Sequence, residues 1–214
     1  MKKIYVSLAI IAVAFASCKK EEKTEPETGT MNDTIVHEEV AAQKPMDSAA
    51  MAQAWEKYMT PGEPHKMLAD ETGKWDCEMT FWMAPDAPPE TYKSTADIKM
   101  VMGGRYQESM YSGEMMGMPF EGKSTVAYDN AANEYTSTWI DNMGTGLMVM
   151  KGKMEEGSNS MTLTGETIDP MTGKTCKMRE VYTIVDENTR KMEMYDNKMG
   201  EEHKNMEIIM KRKM

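Results

Sequence analysis

The sequence predicts a mainly β chain: an antiparallel up-and-down β-barrel of about ten strands, preceded by one or two short helices. Three observations carry this. Turn-forming clusters recur at hairpin spacing from Pro85 to Gly200. The segments between them are rich in Thr, Tyr, Val, Ile, Trp and Met. Several of those segments alternate apolar and polar side chains, as a half-buried strand must. Consecutive strands with short links close most economically into a barrel, which removes both sheet edges. A two-sheet sandwich is the competing architecture.

The chain opens Met1-Lys2-Lys3 and then runs uncharged from Ile4 to Ser17, 14 residues. That is short of the ~20 a membrane-spanning helix needs. A basic start, a short apolar centre and small residues before a break are the pattern of a secretory leader. Phe15-Ala16-Ser17-Cys18 resembles the lipobox of bacterial lipoproteins, with Phe15 where Leu is usual. The resemblance implies cleavage after residue 17, acylation of Cys18 and a lipid bilayer as partner. It places the protein as an outer-membrane lipoprotein, periplasmic or surface-exposed. Several acyl chains at about 0.8 kcal/mol per buried CH₂ anchor firmly. Residues 18–46 are dominated by Glu, Lys, Thr, Pro and Asn, too little apolar surface to offset ordering, and read as a disordered tether.

Residues 47–73 carry the helices, packed on the barrel. Asp47-Ser48 is a cap signal, and Met51, Trp55, Tyr58 and Met59 form one apolar stripe. Thr60-Pro61-Gly62-Glu63-Pro64 stops that helix; a second starts near Pro64, turns Met67 and Leu68 inward and ends at Gly73. Residues 74–214 then form the barrel. Its turns fall at 85–89, 103–104, 113–119, 129–133, 142–144, 157–159, 169–173, 186–189 and 196–200. Trp75, Cys77, Met79 and Phe81 share one face, as do Tyr135, Ser137 and Trp139. Cys176, Met178, Glu180, Tyr182 and Ile184 share a third.

The net charge of −10 argues against a non-specific hold on nucleic acid. With 40% hydrophobic and 28% charged residues, the chain is neither a membrane bundle nor wholly disordered. From Asp47 onward there are 24 Met against 14 Leu, Ile and Val together. Methionine must therefore supply much of the core, where its flexible thioether fills irregular gaps. The alternative is soft-metal capture, since thioethers select Cu(I). Its candidates are Met115, Met116 and Met118 with His65 or His203, or a haem site using the same groups. Once Cys18 is set aside, Cys77 and Cys176 remain. They are two buried free thiols, or a disulfide tying the first strand to the eighth and worth ~4–5 kcal/mol in the chain-entropy model.

No Gly-x-Ser-x-Gly elbow, His-Glu-x-x-His helix or phosphate-cradling loop occurs in the sequence. No cofactor is called for, and whether the chain is an enzyme stays open. Glu180 shares a face with Cys176, Met178 and Tyr182. If that face is interior, it needs a partner or a raised pKa, and Arg105 is the candidate partner.

Several stretches resemble the bacterial family catalogued as domain of unknown function 1579. They are Pro61-Gly62-Glu63-Pro64-His65-Lys66, Gly73-Lys74-Trp75, Met102-Gly103-Gly104-Arg105-Tyr106 and Gly117-Met118-Pro119-Phe120-Glu121-Gly122. Further on come Tyr128-Asp129-Asn130, the run from Ser137 to Gly146, and Asp169-Pro170-Met171-Thr172-Gly173. Together they span about Trp55 to Lys211. The resemblance implies a calycin-like, that is lipocalin-like, barrel and no established chemistry. Met116, Met118 and Met143 fall within the family pattern.

The expected function is binding of a small apolar or amphipathic molecule inside the barrel. Trp82, Arg105, Tyr111, Trp139, Met148 and Glu180 are the candidate contacts. A packed barrel serving as a structural or partner-docking envelope protein is the other reading; its protein partner is unknown. A cavity of a few hundred Å³ separates the two.

Overall fold

Asp47 opens the described chain, residues 47–214 of a computed structural model, as a helix cap. Its carboxylate accepts the Ala50 N–H at 2.7 Å and starts α1 (Ser48–Met59). The leader, Cys18 and the tether fall outside the described residues. The stripe on α1 does not pack as expected. Met51, Trp55, Tyr58 and Met59 are all exposed, and no α1 residue is buried. The helix is held by its C-terminal end instead. The Asn130 side-chain amide donates to the carbonyls of Lys57, Tyr58 and Thr60 at 2.9–3.2 Å.

The second helix, α2 (Glu63–Ala69), does pack, against the second, third and fourth strands, and buries His65 and Leu68. His65 is its cap: the ring Nδ1 accepts the Gly62 N–H at 3.1 Å. At the other end the Gln107 amide donates to the Leu68 carbonyl at 2.8 Å, satisfying a C-terminal orphan.

Ten strands follow: β1 (Gly73–Phe81), β2 (Glu90–Val101), β3 (Tyr106–Met115), β4 (Met118–Asp129) and β5 (Glu134–Asp141), then β6 (Met148–Met154), β7 (Ser160–Ile168), β8 (Thr175–Asp186), β9 (Thr189–Asp196) and β10 (His203–Arg212). Each pairs antiparallel with its sequence neighbour, and β10 returns to β1, from Trp75 opposite Arg212 to Phe81 opposite Met206. The barrel is therefore closed and the sandwich alternative falls. One turn is shorter than the sequence suggests. β3 and β4 are joined by Met116-Gly117 alone, at φ 54° and 72°, a tight pair with both residues left-handed. Gly113, expected in that turn, lies inside β3, where a Cβ would stand 2.6 Å from the Lys93 carbonyl of β2. Its glycine serves close strand approach.

The barrel has two unlike ends. At the start of β1 a buried ion pair closes it. Arg190 Nε sits 2.8 Å from Glu71 Oε1, and both side chains are 5% exposed. The Tyr182 hydroxyl donates to the same carboxylate at 2.9 Å, and the Trp75 indole N–H to the Glu71 carbonyl at 2.8 Å. The Arg190 and Arg212 guanidiniums lie over the Trp75 ring at 5.2 and 4.3 Å from its centroid. The opposite end is ringed by the loops 82–89, 116–117, 142–147, 169–174 and 197–202. Each of them carries an exposed methionine: Met83, Met116, Met143, Met171 and Met199.

Methionine supplies the core as expected. Among the described residues, seven buried side chains are Met, against four Leu and Ile. They divide between a cluster around Trp75, Cys77 and Ile98 and another around Leu68, Leu163 and Cys176. Cys77 and Cys176 are free, buried thiols in different clusters, so no bridge ties β1 to β8.

Candidate functional site

Alternation along the strands turns every second side chain into the barrel, and the ring-loop half of that interior is not filled. A cavity of about 270 Å³ remains, near the lower end of the ~300–1,000 Å³ typical of small-molecule sites. Seven of its sixteen lining residues are Met, and four are aromatic: Phe81, Tyr111, Phe120 and Trp139. The aromatics form one wall. Tyr111 meets Trp139 edge-on at 5.2 Å between centroids, and Phe120 stacks on Trp139 at 6.4 Å. Trp139 is fixed by its indole N–H, which donates to Asp141 at 2.6 Å; the same carboxylate accepts the Met143 N–H at 2.9 Å and so shapes the 142–147 loop.

Glu180 stands at the floor. It projects inward from β8 between Leu163 on β7 and Met194 on β9, and is 5% exposed. Among the described residues no donor binds it and no cation faces it. Burial alone pushes its carboxyl up to about 7. A second void, of about 50 Å³, lies on its far side toward α2 and shares Tyr111, Ser124, Ser137, Glu180 and Met192 with the first. Burial raises the Tyr111 phenol far above its ordinary value, with the Cys77, Glu180 and Glu71 charges adding to the effect.

Four of the six residues chosen from the sequence line the cavity: Tyr111, Trp139, Met148 and Glu180. Two do not. Trp82 lies just past β1, bonded through its N–H to the Asn205 carbonyl at 2.9 Å, with Lys204 Nζ 4.8 Å from its ring. Arg105 sits at the α2 end after the left-handed run Met102-Gly103-Gly104, bonded to the Met102 carbonyl at 3.2 Å. It is not the partner of Glu180. The ion pair inside the barrel is Glu71 with Arg190, which no local pattern announces.

The soft-metal group is dispersed. Met115 lines the cavity, Met116 and Met118 are exposed on the rim, His65 caps α2 at the far end, and His203 lies 3.7 Å from Asp196. Burial, then Arg105, hold His65 below its ordinary pKa. Among the described residues no three His, Cys, Asp or Glu converge as metal ligands.

These features define a closed antiparallel β-barrel with an internal cavity open at one end. Residues 60–212 match the family described as "Protein of unknown function (DUF1579)", and the chain belongs to it. Among solved structures it is similar to Rv2717c from M. tuberculosis, with 10% identity and a TM-score of 0.51, covering 72% of this chain and all of that one. That likeness concerns the fold. A redesigned β-barrel is similar at 14% identity and a TM-score of 0.36, over 69% of this chain and 95% of that one. No curated protein matches the sequence.

Proposed function

We propose that this protein is a lipid-anchored envelope protein that holds a small apolar or amphipathic molecule inside its barrel. The observation that carries the reading is the cavity: about 270 Å³, walled by methionine and aromatic side chains, and open at the ring-loop end. A barrel serving only as a scaffold gains by filling that space, since each missing contact forfeits dispersion energy. Methionine suits the wall because it repacks around different shapes. The anchor rests on the 14-residue uncharged run from Ile4 to Ser17 and the Cys18 that follows it. Mass analysis of the N-terminal peptide tests it, with acylated Cys18 as the expected start.

Titration of the purified protein with N-phenyl-1-naphthylamine, a neutral fluorophore, tests the cavity. Saturable enhancement and quenching of tryptophan emission are expected. Ser137→Phe, which drives a ring into the cavity, removes both. A signal unchanged by Ser137→Phe places the dye elsewhere and contradicts the reading.

A further inference from the structure

The character of the floor and walls narrows the ligand class; this step rests on the cavity reading above. The sixteen lining residues include two carboxyl groups, Glu180 at the floor and Asp141 near the mouth, and no Lys, Arg or His. Asp141 is occupied by Trp139 and Met143. Glu180 is not, although it is among the most buried charged residues described. A carboxyl placed in an apolar cavity without a partner costs stability, and a ligand that supplies the missing donor recovers that cost. A fatty acid or other anion would instead bring a like charge to a site holding no cation. Aromatic faces attract a cation through their quadrupoles, and four aromatic rings line this cavity.

We infer that the cavity takes a small cationic amphiphile, a primary or substituted alkylamine, with its ammonium on Glu180 and its apolar body among the methionines and Trp139. The groups facing Glu180 support this assignment. Tyr111 comes from β3 and Tyr182 from the same strand, and burial raises both phenols well above their ordinary values, so neither ionises near neutrality. Behind Tyr182, Glu71 is committed to Arg190. No other group among those facing Glu180 competes for an ammonium. The burial that pushes Glu180 up to about 7 sets the pH dependence. At pH 8 the carboxylate is already ionised and the amine binds it directly. Below 7 binding must first expel a proton, and affinity falls by up to about tenfold per pH unit.

Three probes with a shared phenylalkyl body and different head groups test the assignment on the full protein by calorimetry: 4-phenylbutylamine, 4-phenylbutanol and 4-phenylbutanoate. At pH 8 the amine is expected to bind at least about tenfold tighter than the alcohol, with the butanoate weakest. By pH 5.5 the amine's advantage shrinks by more than about tenfold. In Glu180→Gln the amine-to-alcohol ratio at pH 8 falls to about 1. An amine that binds no tighter than the alcohol, or a butanoate that binds best, overturns this inference and leaves the cavity reading standing. Failure of all three probes to bind overturns both. The wild-type comparison needs no variant, so a misfolded Glu180→Gln does not decide the matter.

Discussion

Replacing Glu180 by Gln should make the protein more stable at pH 8 and change nothing comparable at pH 4.5. The sign follows from where protons sit. In the folded state the Glu180 carboxyl titrates at about 7, against 4.5 when exposed. Between those values the native protein holds a proton that the unfolded chain has released, so stability falls as pH rises through the window. A difference of about 2.5 units corresponds to about 3 kcal/mol, all of it lost by pH 8 and none of it at pH 4.5. Other carboxylates act in a different window. Asp169, Asp186, Glu108 and Glu202 are held below their ordinary values, mainly by hydrogen bonds, so their stabilisation fades only as pH drops further. The amide that replaces the carboxyl has its own burial cost, but that cost does not vary with pH. Urea denaturation of both proteins at half-unit intervals from pH 4.5 to 8 gives the difference curve directly. It should rise by about 3 kcal/mol with pH. A flat difference curve would falsify the placement of an unpartnered carboxyl inside the barrel.

Breaking the ion pair at the closed end should be costlier. Glu71→Ala strands the Arg190 guanidinium and the Tyr182 hydroxyl, and a loss of about 3–5 kcal/mol is expected by urea denaturation; a loss under about 1 kcal/mol would contradict its burial. Gly122→Ala should loosen the aromatic wall, because the new Cβ would stand 2.5 Å from the Trp139 ring. We expect a shifted Trp139 emission and weaker N-phenyl-1-naphthylamine binding, with about 1–3 kcal/mol of stability lost to overpacking. Unchanged emission and binding would mean that Trp139 is not seated there. Burial pushes the Cys77 thiol up to about 11, and Cys176 is shut away from solvent, so iodoacetamide at pH 8 should leave both unmodified in the native protein and label both in urea. Resistance to labelling in urea without reductant would reveal a bridge instead.

Local pattern was enough to place the strands. Trp75, Cys77 and Met79 alternate with charged neighbours, and all three are buried on one face of β1. The same alternation along β8 puts Glu180 in the cavity and, along β5, Trp139. Pattern misled where a residue type has two uses. Gly113 reads as turn punctuation but permits close approach of β2 and β3. The stripe on α1 reads as a packing face, yet its residues are exposed, and the helix is tied to the barrel through Asn130 at its C-terminal end. Trp82 directly follows Phe81, which faces the cavity, so the alternation along β1 itself turns Trp82 to the other side of the wall. What was illegible is contact across long sequence separation. Glu71 and Arg190 lie 119 residues apart, one in a helix-to-strand link and the other early in β9, and meet only because the barrel closes. Arg105, which follows the Gly103-Gly104 turn, could from sequence either pair with a buried acid or sit on the surface; it sits on the surface, bonded to the Met102 carbonyl of the left-handed turn before it.

The measurement closest to the central claim is native mass spectrometry of the full protein purified gently from the cells that make it. An added mass of one small organic molecule, released on unfolding and absent from Ser137→Phe, is the predicted result. A bare protein mass, in a preparation that also takes up no N-phenyl-1-naphthylamine, would show a barrel whose hollow holds nothing.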